Sequence, residues 1–299
     1  MINVPSYLRL TDSGLSITDS SIKFVTLKQN PLNSELTLKH CEEILLPAGT
    51  IQSGFIQNEE GLTKILKDLA SRHSLSYVNA SLPEERAYIF NATIDRVPEE
   101  GLRDAVAFII EENAPVSLAN SVFDFEVMEN VESNDKINVT VSVISKKVVD
   151  FYLQVLGKVG ITPISFDLES QAIARAIIPN GKKSVKLIID LGREKIGYYV
   201  VRDGVVQFTT TLANDSNLKT EMEKILTFWS SRSPNTPIES VLVSGARSPL
   251  DTLIEELKSL TPLPLTLAEP WTNVTHLANV PFACEPLNIV SAIGAAIPH

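Results

Sequence analysis

Three residues of this chain stand where phosphate chemistry would need them. Asp190 and Gly192 lie in "IIDLGREKIGYYVV" (188–201), an Asp-x-Gly turn between two strand-like stretches. Glycine in such a turn lets backbone amides approach a phosphate, and an adjacent carboxylate can hold hydrated Mg²⁺. Gly245 follows Ser244 at the end of "VLVSG", just before a helical stretch. A strand–glycine–helix junction can present amides and a helix N-terminus to an anion or a nucleotide. Each signal is weak alone, because both patterns also serve as ordinary connections.

The first of these turns has an earlier counterpart. "GLSITDSSIKFVTL" (14–27) has the same shape, with Ser16 falling on Asp190, Thr18 on Gly192 and Ile22 on Ile196. This copy has Ser-x-Thr where the second has Asp-x-Gly, so the polar chemistry of the turn is kept in only one of the two.

No nucleophile elbow, HExxH motif, P-loop or dinucleotide fingerprint is present, so no catalytic residue is assigned. "GKKS" (181–184) lacks the glycine-rich loop and following helix of a P-loop and reads as a solvated turn between domains. His40, His73, His276 and His299 are scattered and are expected at the surface; no metal site is assigned. Cys41 and Cys284 have no CxxC spacing or metal-ligand company and are expected to be two free thiols.

The elements that would position these residues follow from periodicity. Strands are expected over 14–17, 22–28 and 34–46. A helix follows with Leu62, Ile65, Leu66 and Leu69 on one stripe, then a strand stopped by Pro83. This βββαβ order opens a mixed sheet. Residues 86–162 change texture. A strand ("AYIFNATI"), a helix opened by Pro98 with Leu102, Val106, Ile109 and Ile110 inward, two alternating strands and a helix with Val149, Tyr152, Leu153 and Leu156 inward form a small α+β unit. The chain then returns through a strand and a helix ending before Pro179. A second hairpin set follows, with Asp203-Gly204 as a turn signal. A helix carrying Phe228 and Trp229, expected in the core, comes next. A buried strand into Ser244-Gly245, a helix with Leu250, Leu253, Ile254 and Leu257 inward, and an apolar closing helix complete the chain.

The bounds agree with two core-bearing halves. The chain has 299 residues, 44% hydrophobic and 21% charged, with a net charge of −10. That charge disfavours nucleic acid and direct adsorption to anionic membranes. No apolar run reaches the ~18 residues needed to span a bilayer. A cytoplasmic protein is expected, reaching the inner face of a membrane only through a partner.

In this order the pieces resemble the actin-like ATPase superfamily, and more closely the PilM family of type IV pilus assembly. The likeness spans nearly the whole chain. "GLSITDSSIKFVTL" is similar to the family's GLDIGSSSIKxVxL, and "APVSLANSVFDFEVM" to IPFPLDEVxxDYxVL. "VTVSVISKKVVDFYLQVLGKVGITPISFDLESQAIARAI" is the most specific match, to VxLVAARKEVVDxYxxxLxxAGLxPxxVDxExxAxxRA. "LIIDLGREKIGYYVVRDGVVQFTTTL", "VLVSGARS" and "LAEPWTNV" also have family counterparts.

The resemblance implies an α/β, actin-like (ribonuclease H-like) bilobed fold with a small α+β insertion in the first lobe. The corresponding parts are 1–85 and 163–182 for the first lobe, 86–162 for the insertion, and 183–299 for a second lobe with a reduced accessory subdomain. It also implies a groove between the insertion and the first lobe that holds the N-terminal cytoplasmic peptide of a PilN-like inner-membrane protein. The family's nucleotide residues are lost at three elements: a degenerate phosphate hairpin with Ser16 in place of the family's Asp and Thr18 in place of its second Gly, "ANDSNLKT" without the family's two glycines, and a run of glycines reduced to Gly245-Ala246. Catalysis relies on positioned metal and phosphate contacts, so these losses point to a pseudo-ATPase scaffold. No cofactor is expected; ATP with Mg²⁺ is the alternative, held weakly by Asp190, Gly192 and Gly245. A nucleotide-binding switch or active ATPase of the same machinery is the second reading. An FtsA-like division protein is remote, because "SAIGAAIPH" is no basic amphipathic tail. Self-association is left open.

Overall fold

The computed structural model describes residues 13–30, 32–33, 35–128, 135–214, 217–245, 254–255, 257–259, 261–275 and 284–298. Two five-stranded sheets carry the architecture. The first is ordered β10-β6-β1-β2-β3: β1 (Ser13–Ile17), β2 (Ser21–Gln29) and β3 (Leu36–Leu45) form an antiparallel meander, and β6 (Tyr77–Leu82) and β10 (Thr162–Leu168) continue it in parallel. The second is ordered β13-β12-β11-β14-β15. Here β11 (Val185–Leu191), β12 (Lys195–Arg202) and β13 (Val205–Ala213) form the meander, with β14 (Ser240–Gly245) and β15 (Leu265–Leu267) parallel beyond it. Read from β15, the second sheet repeats the first strand for strand. The register confirms the sequence overlay: Ile17 pairs with Ile22 as Leu191 pairs with Ile196.

Between β6 and β10 lies the insertion, a three-stranded antiparallel sheet ordered β7-β9-β8 from β7 (Ala87–Asp95), β8 (Ser121–Met128) and β9 (Lys136–Ser145). Helix α2 (Leu102–Asn113) buries Val106 and Ile110 on it; Pro98 precedes a short 3₁₀ turn rather than the helix itself. A two-residue hairpin, β4 (Ile51–Gln52) with β5 (Phe55–Ile56), precedes α1 (Glu59–His73), whose Asn58 side chain caps the Gly61 amide.

Two helices form the layer between the sheets. Helix α4 (Glu169–Ile177) and the closing helix α6 (Val290–Ala296) pack together, with Ile173 and Ile293 in one core with Val25 of β2 and Ile188 of β11. Their approach is close: a Cβ on Gly294 would lie 1.6 Å from the Ala172 carbonyl oxygen. Arg175 and Asp167 form a paired fork at 2.8 and 2.9 Å, and Arg175 also donates to the Gly294 carbonyl.

Several expectations are corrected. Helix α3 (Lys146–Lys158) buries Val148, Tyr152, Val155 and Leu156, whereas Leu153 is exposed; the apolar stripe is rotated because Val148 and Val155 are the better-sheltered pair. In α5 (Leu218–Arg232) Trp229 is buried and donates to the Thr236 carbonyl, but Phe228 is exposed and leans on Phe208. His73 is half-buried against Phe24, paired with Glu42 at 2.7 Å. Cys41 and Cys284 are joined as a disulfide with Cα atoms 6.5 Å apart, not separate thiols. Spacing could not show this, since tertiary packing closes a separation of 243 residues. Of the helix expected around 250–257, Ile254 and Leu257 are buried; Leu250, Leu253 and Ala246 lie outside the described residues, as do His276 and His299.

Candidate functional site: an interlobe cleft and a groove beside the insertion

The two hairpin turns face each other across a cleft. It is lined by Thr18, Asp19 and Lys23 of the first hairpin, by Glu84 and Glu85 after β6, and by Glu169 at the start of α4. From the second lobe come Asp190, Gly192, Lys195 and Gly245. The structure therefore gathers Asp190, Gly192, Gly245 and Thr18 in one place. Ser16 is elsewhere: it is fully buried and shares a 2.9 Å hydrogen bond with the Ser291 hydroxyl of α6. The Thr18 hydroxyl is committed to its own turn, donating to the Ser21 carbonyl at 3.1 Å.

The two glycines have backbone reasons to be glycine. Gly245 sits at φ +110°, and a Cβ there would fall 2.5 Å from the Leu191 carbonyl oxygen. At Gly192 a Cβ would fall 2.7 Å from the Lys195 carbonyl oxygen.

Side chains fill the cleft. The cavity among the described residues is about 70 Å³, against ~300 Å³ or more for a small-molecule site. The Lys195 ammonium lies between Asp19, at 2.6 Å, and Glu85. Arg193, in the same second-lobe turn, grips Glu43 of β3 at 2.5 and 3.3 Å. Lys23 lies 3.8 Å from Glu169.

Burial pushes Glu84 up from 4.5 to about 7, although Ser170 donates to it through both amide and hydroxyl. Burial likewise raises Glu169 to about 7, with Lys23 opposing and Asp190, Glu85 and Glu84 adding to the rise. Asp190 is raised for the same reason, against Lys23 and Ser244. A ring of carboxylates with its cations already paired is a poor donor set for a triphosphate, and the described cleft does not fit Mg-ATP in this arrangement.

Sequence reasoning missed Asp19, Lys23, Glu43, Glu84, Glu85, Glu169, Arg193 and Lys195. The signal available was that Lys23 and Gly197 occupy matching register positions opposite Ser16 and Asp190, a cation in one copy and a glycine in the other.

The second concavity, about 900 Å³, lies beside the insertion. Strand β8 supplies Val122, Phe123, Asp124 and Glu126 to one wall, and β10 supplies Ser165, Phe166, Asp167 and Leu168 to the other. Both are edge strands of their sheets, so each turns an unladdered backbone edge outward among the described residues. Gln171, Ala174 and Arg175 of α4, with Ile178 just after it, form the floor, and the second-lobe turn Asp203–Val206 and Gly181–Lys182 form the rim. The basic turn expected to be merely solvated thus borders the groove. Val122 is 42% exposed, and the Arg103 guanidinium lies over the Phe123 ring at 4.4 Å. The insertion is held to the second lobe by a closed set of bonds: Gln207 donates to Thr140, Thr140 to Asn91, and Asn91 to the Gln207 carbonyl, at 2.8, 2.8 and 2.9 Å.

A family model described as type IV pilus assembly protein PilM matches residues 14–214, more than half of the chain. The chain belongs to the PilM family. Among solved structures, this PilM-family chain is similar to one titled a PilM-PilN type IV pilus biogenesis complex, at 20% identity and TM-score 0.79 over 96% of each chain. It is also similar to the ethanolamine utilization protein EutJ from Carboxydothermus hydrogenoformans, at 12% identity and TM-score 0.55, over 95% of this chain and 88% of that one. A third likeness is to the cytoplasmic domain of EpsL, an inner-membrane component of the type II secretion system of Vibrio cholerae, at 10% identity and TM-score 0.50, over 96% and 95%. No curated protein matches. These likenesses establish the actin-like bilobed fold. Among the described residues no helix is long and apolar enough to cross a membrane.

Proposed function

We propose that this PilM-family chain is a scaffold of type IV pilus or related machinery that holds the N-terminal cytoplasmic peptide of a PilN-like membrane protein without hydrolysing ATP. In this reading residues 86–162 are the insertion; 1–85 with 163–182 and 183–299 are the lobes. The partner brings the protein to the cytoplasmic face of its membrane. The observation that carries the reading is the groove between two open strand edges. An extended segment laid along β8 or β10 would gain main-chain hydrogen bonds, with Val122 and Phe166 contacting its apolar side chains.

The test is calorimetric titration of the full chain with synthetic N-terminal peptides of the PilN-like proteins encoded in the same genome. Saturable binding that Val122→Asp weakens by at least about tenfold is expected. No binding of any such peptide would end the reading. The second reading, a nucleotide-dependent switch, draws on Asp190, Gly192 and Gly245 meeting in one cleft. Titration with Mg-ATP decides it, and binding at micromolar affinity would favour the switch.

A further inference from the structure

The misfit between the cleft and a nucleotide raises the question of what holds the lobes together. We propose that the second-lobe turn carries its own ligand for the cleft: Lys195 and Arg193 clamp the lobes where actin-like folds place Mg-nucleotide between them. The proposal goes beyond the groove reading and does not depend on it.

The acceptors are built for the task. Asp19 is fixed by the Ser53 and Gly54 amides, which donate to its two carboxylate oxygens at 2.7 and 3.0 Å. Its outward face is left to the Lys195 ammonium at 2.6 Å. Glu85 takes the same ammonium from the other side. Glu43, on β3, accepts from Asn288 at 3.0 Å as well as from the Arg193 fork. The Arg193 backbone is steadied in turn by Asn214, whose amide donates to its carbonyl at 2.7 Å. Both donors thus come from the β11–β12 hairpin of one lobe, Arg193 from its turn and Lys195 from the start of β12, and Asp19, Glu85 and Glu43 come from three separate elements of the other. Side chains of Lys195 and Glu85 are only 24% and 22% exposed, so solvent screens the contact weakly.

A phosphate chain entering this space would meet the Asp19 and Glu85 carboxylates with Lys195 already engaged between them. It would be repelled rather than gripped. The glycines left in the second lobe then serve the turn: Gly192 makes room for the Lys195 carbonyl, which places that residue's side chain across the cleft.

Hydrogen exchange of the intact protein tests this, comparing wild type with Lys195→Met and Lys195→Arg. Lys195→Met should raise exchange of the amides in both facing turns, 18–20 and 192–194, by about tenfold or more, as expected for loss of a local closing interaction. The core strands β6 and β14 should be unaffected. Lys195→Arg, which keeps the charge, should stay close to wild type. Unchanged turn exchange in folded Lys195→Met would overturn the proposal. If that variant does not fold, Glu85→Gln removes one acceptor only and should raise exchange in the same two turns; no change there would also overturn it. Mg-ATP added to wild type supplies an independent arm. No slowing of turn exchange is expected, and saturable protection of both turns by Mg-ATP would show the cleft to be a nucleotide site and sink the clamp.

Discussion

At Ser16 the first hairpin has given its polar position to the core. The residue is fully buried and bonded to Ser291, so restoring the acid would bury a carboxylate where a hydroxyl now fits, with Lys23 opposite it in the register already lying against Glu169. Ser16→Asp should lower stability by about 2–4 kcal/mol and confer no ATP hydrolysis, checked by urea unfolding and phosphate release. A stable variant that hydrolyses ATP would refute the account of this hairpin. Gly245→Ala should also destabilise, by more than about 1 kcal/mol, through its positive φ and the Leu191 carbonyl, whether or not nucleotide is present. What the sequence made visible here was the substitution pattern. It could not show that Ser16 points at α6, because the partner lies 275 positions away.

Helix α4 is the element that joins the cleft to the groove. Its first residue, Glu169, faces the cleft, and Gln171, Ala174, Arg175 and Ile178 floor the groove. Asn273 closes its C-terminal end by donating to the Arg175 and Ile178 carbonyls. Arg175→Met would take the guanidinium fork from Asp167, which is 5% exposed, and one of the donors from the Gly294 carbonyl. A loss of about 3 kcal/mol is expected, together with weakened peptide binding; calorimetric melting and peptide titration read the two effects. Val122→Asp on the exposed edge should cut binding with little change in melting temperature. The amphipathic stripe of α1 was legible because period and length agreed over 15 residues, whereas β2 and β3, nine and ten residues long, were legible by their length without a clean alternation. Strands β4, β5 and β15, two or three residues each, carry no period to read. The face of α3 was misjudged because two adjacent apolar stripes compete, and only tertiary contact with the first sheet selects Val148 over Val149.

For the whole molecule, the duplicated sheets bring dispersed acids together at their junction. Asp19, Glu84, Glu85, Glu169 and Asp190 are spread over 172 positions of chain and meet only when the lobes close, which is why no local pattern announced them. Glu84 and Glu169 are raised to about 7 by burial, from 4.5. A folded pKa above the unfolded value means that the fold binds the proton more tightly. The stabilisation is complete below about 4.5 and is lost as pH rises through about 7. Each group has a ceiling of about 3 kcal/mol, and the pair contributes less than twice that because each raises the other. The melting temperature should therefore rise as pH falls from 8 towards 5.5. Approach to the isoelectric point near 5.0 relieves some general repulsion in the same direction, so the discriminating measurement is the slope in Glu84→Gln. That variant keeps almost the same net charge but cannot titrate at this position, and its melting profile should be flatter between pH 5.5 and 8. An equal slope in variant and wild type would mean that the buried acids at the lobe junction do not govern the pH response.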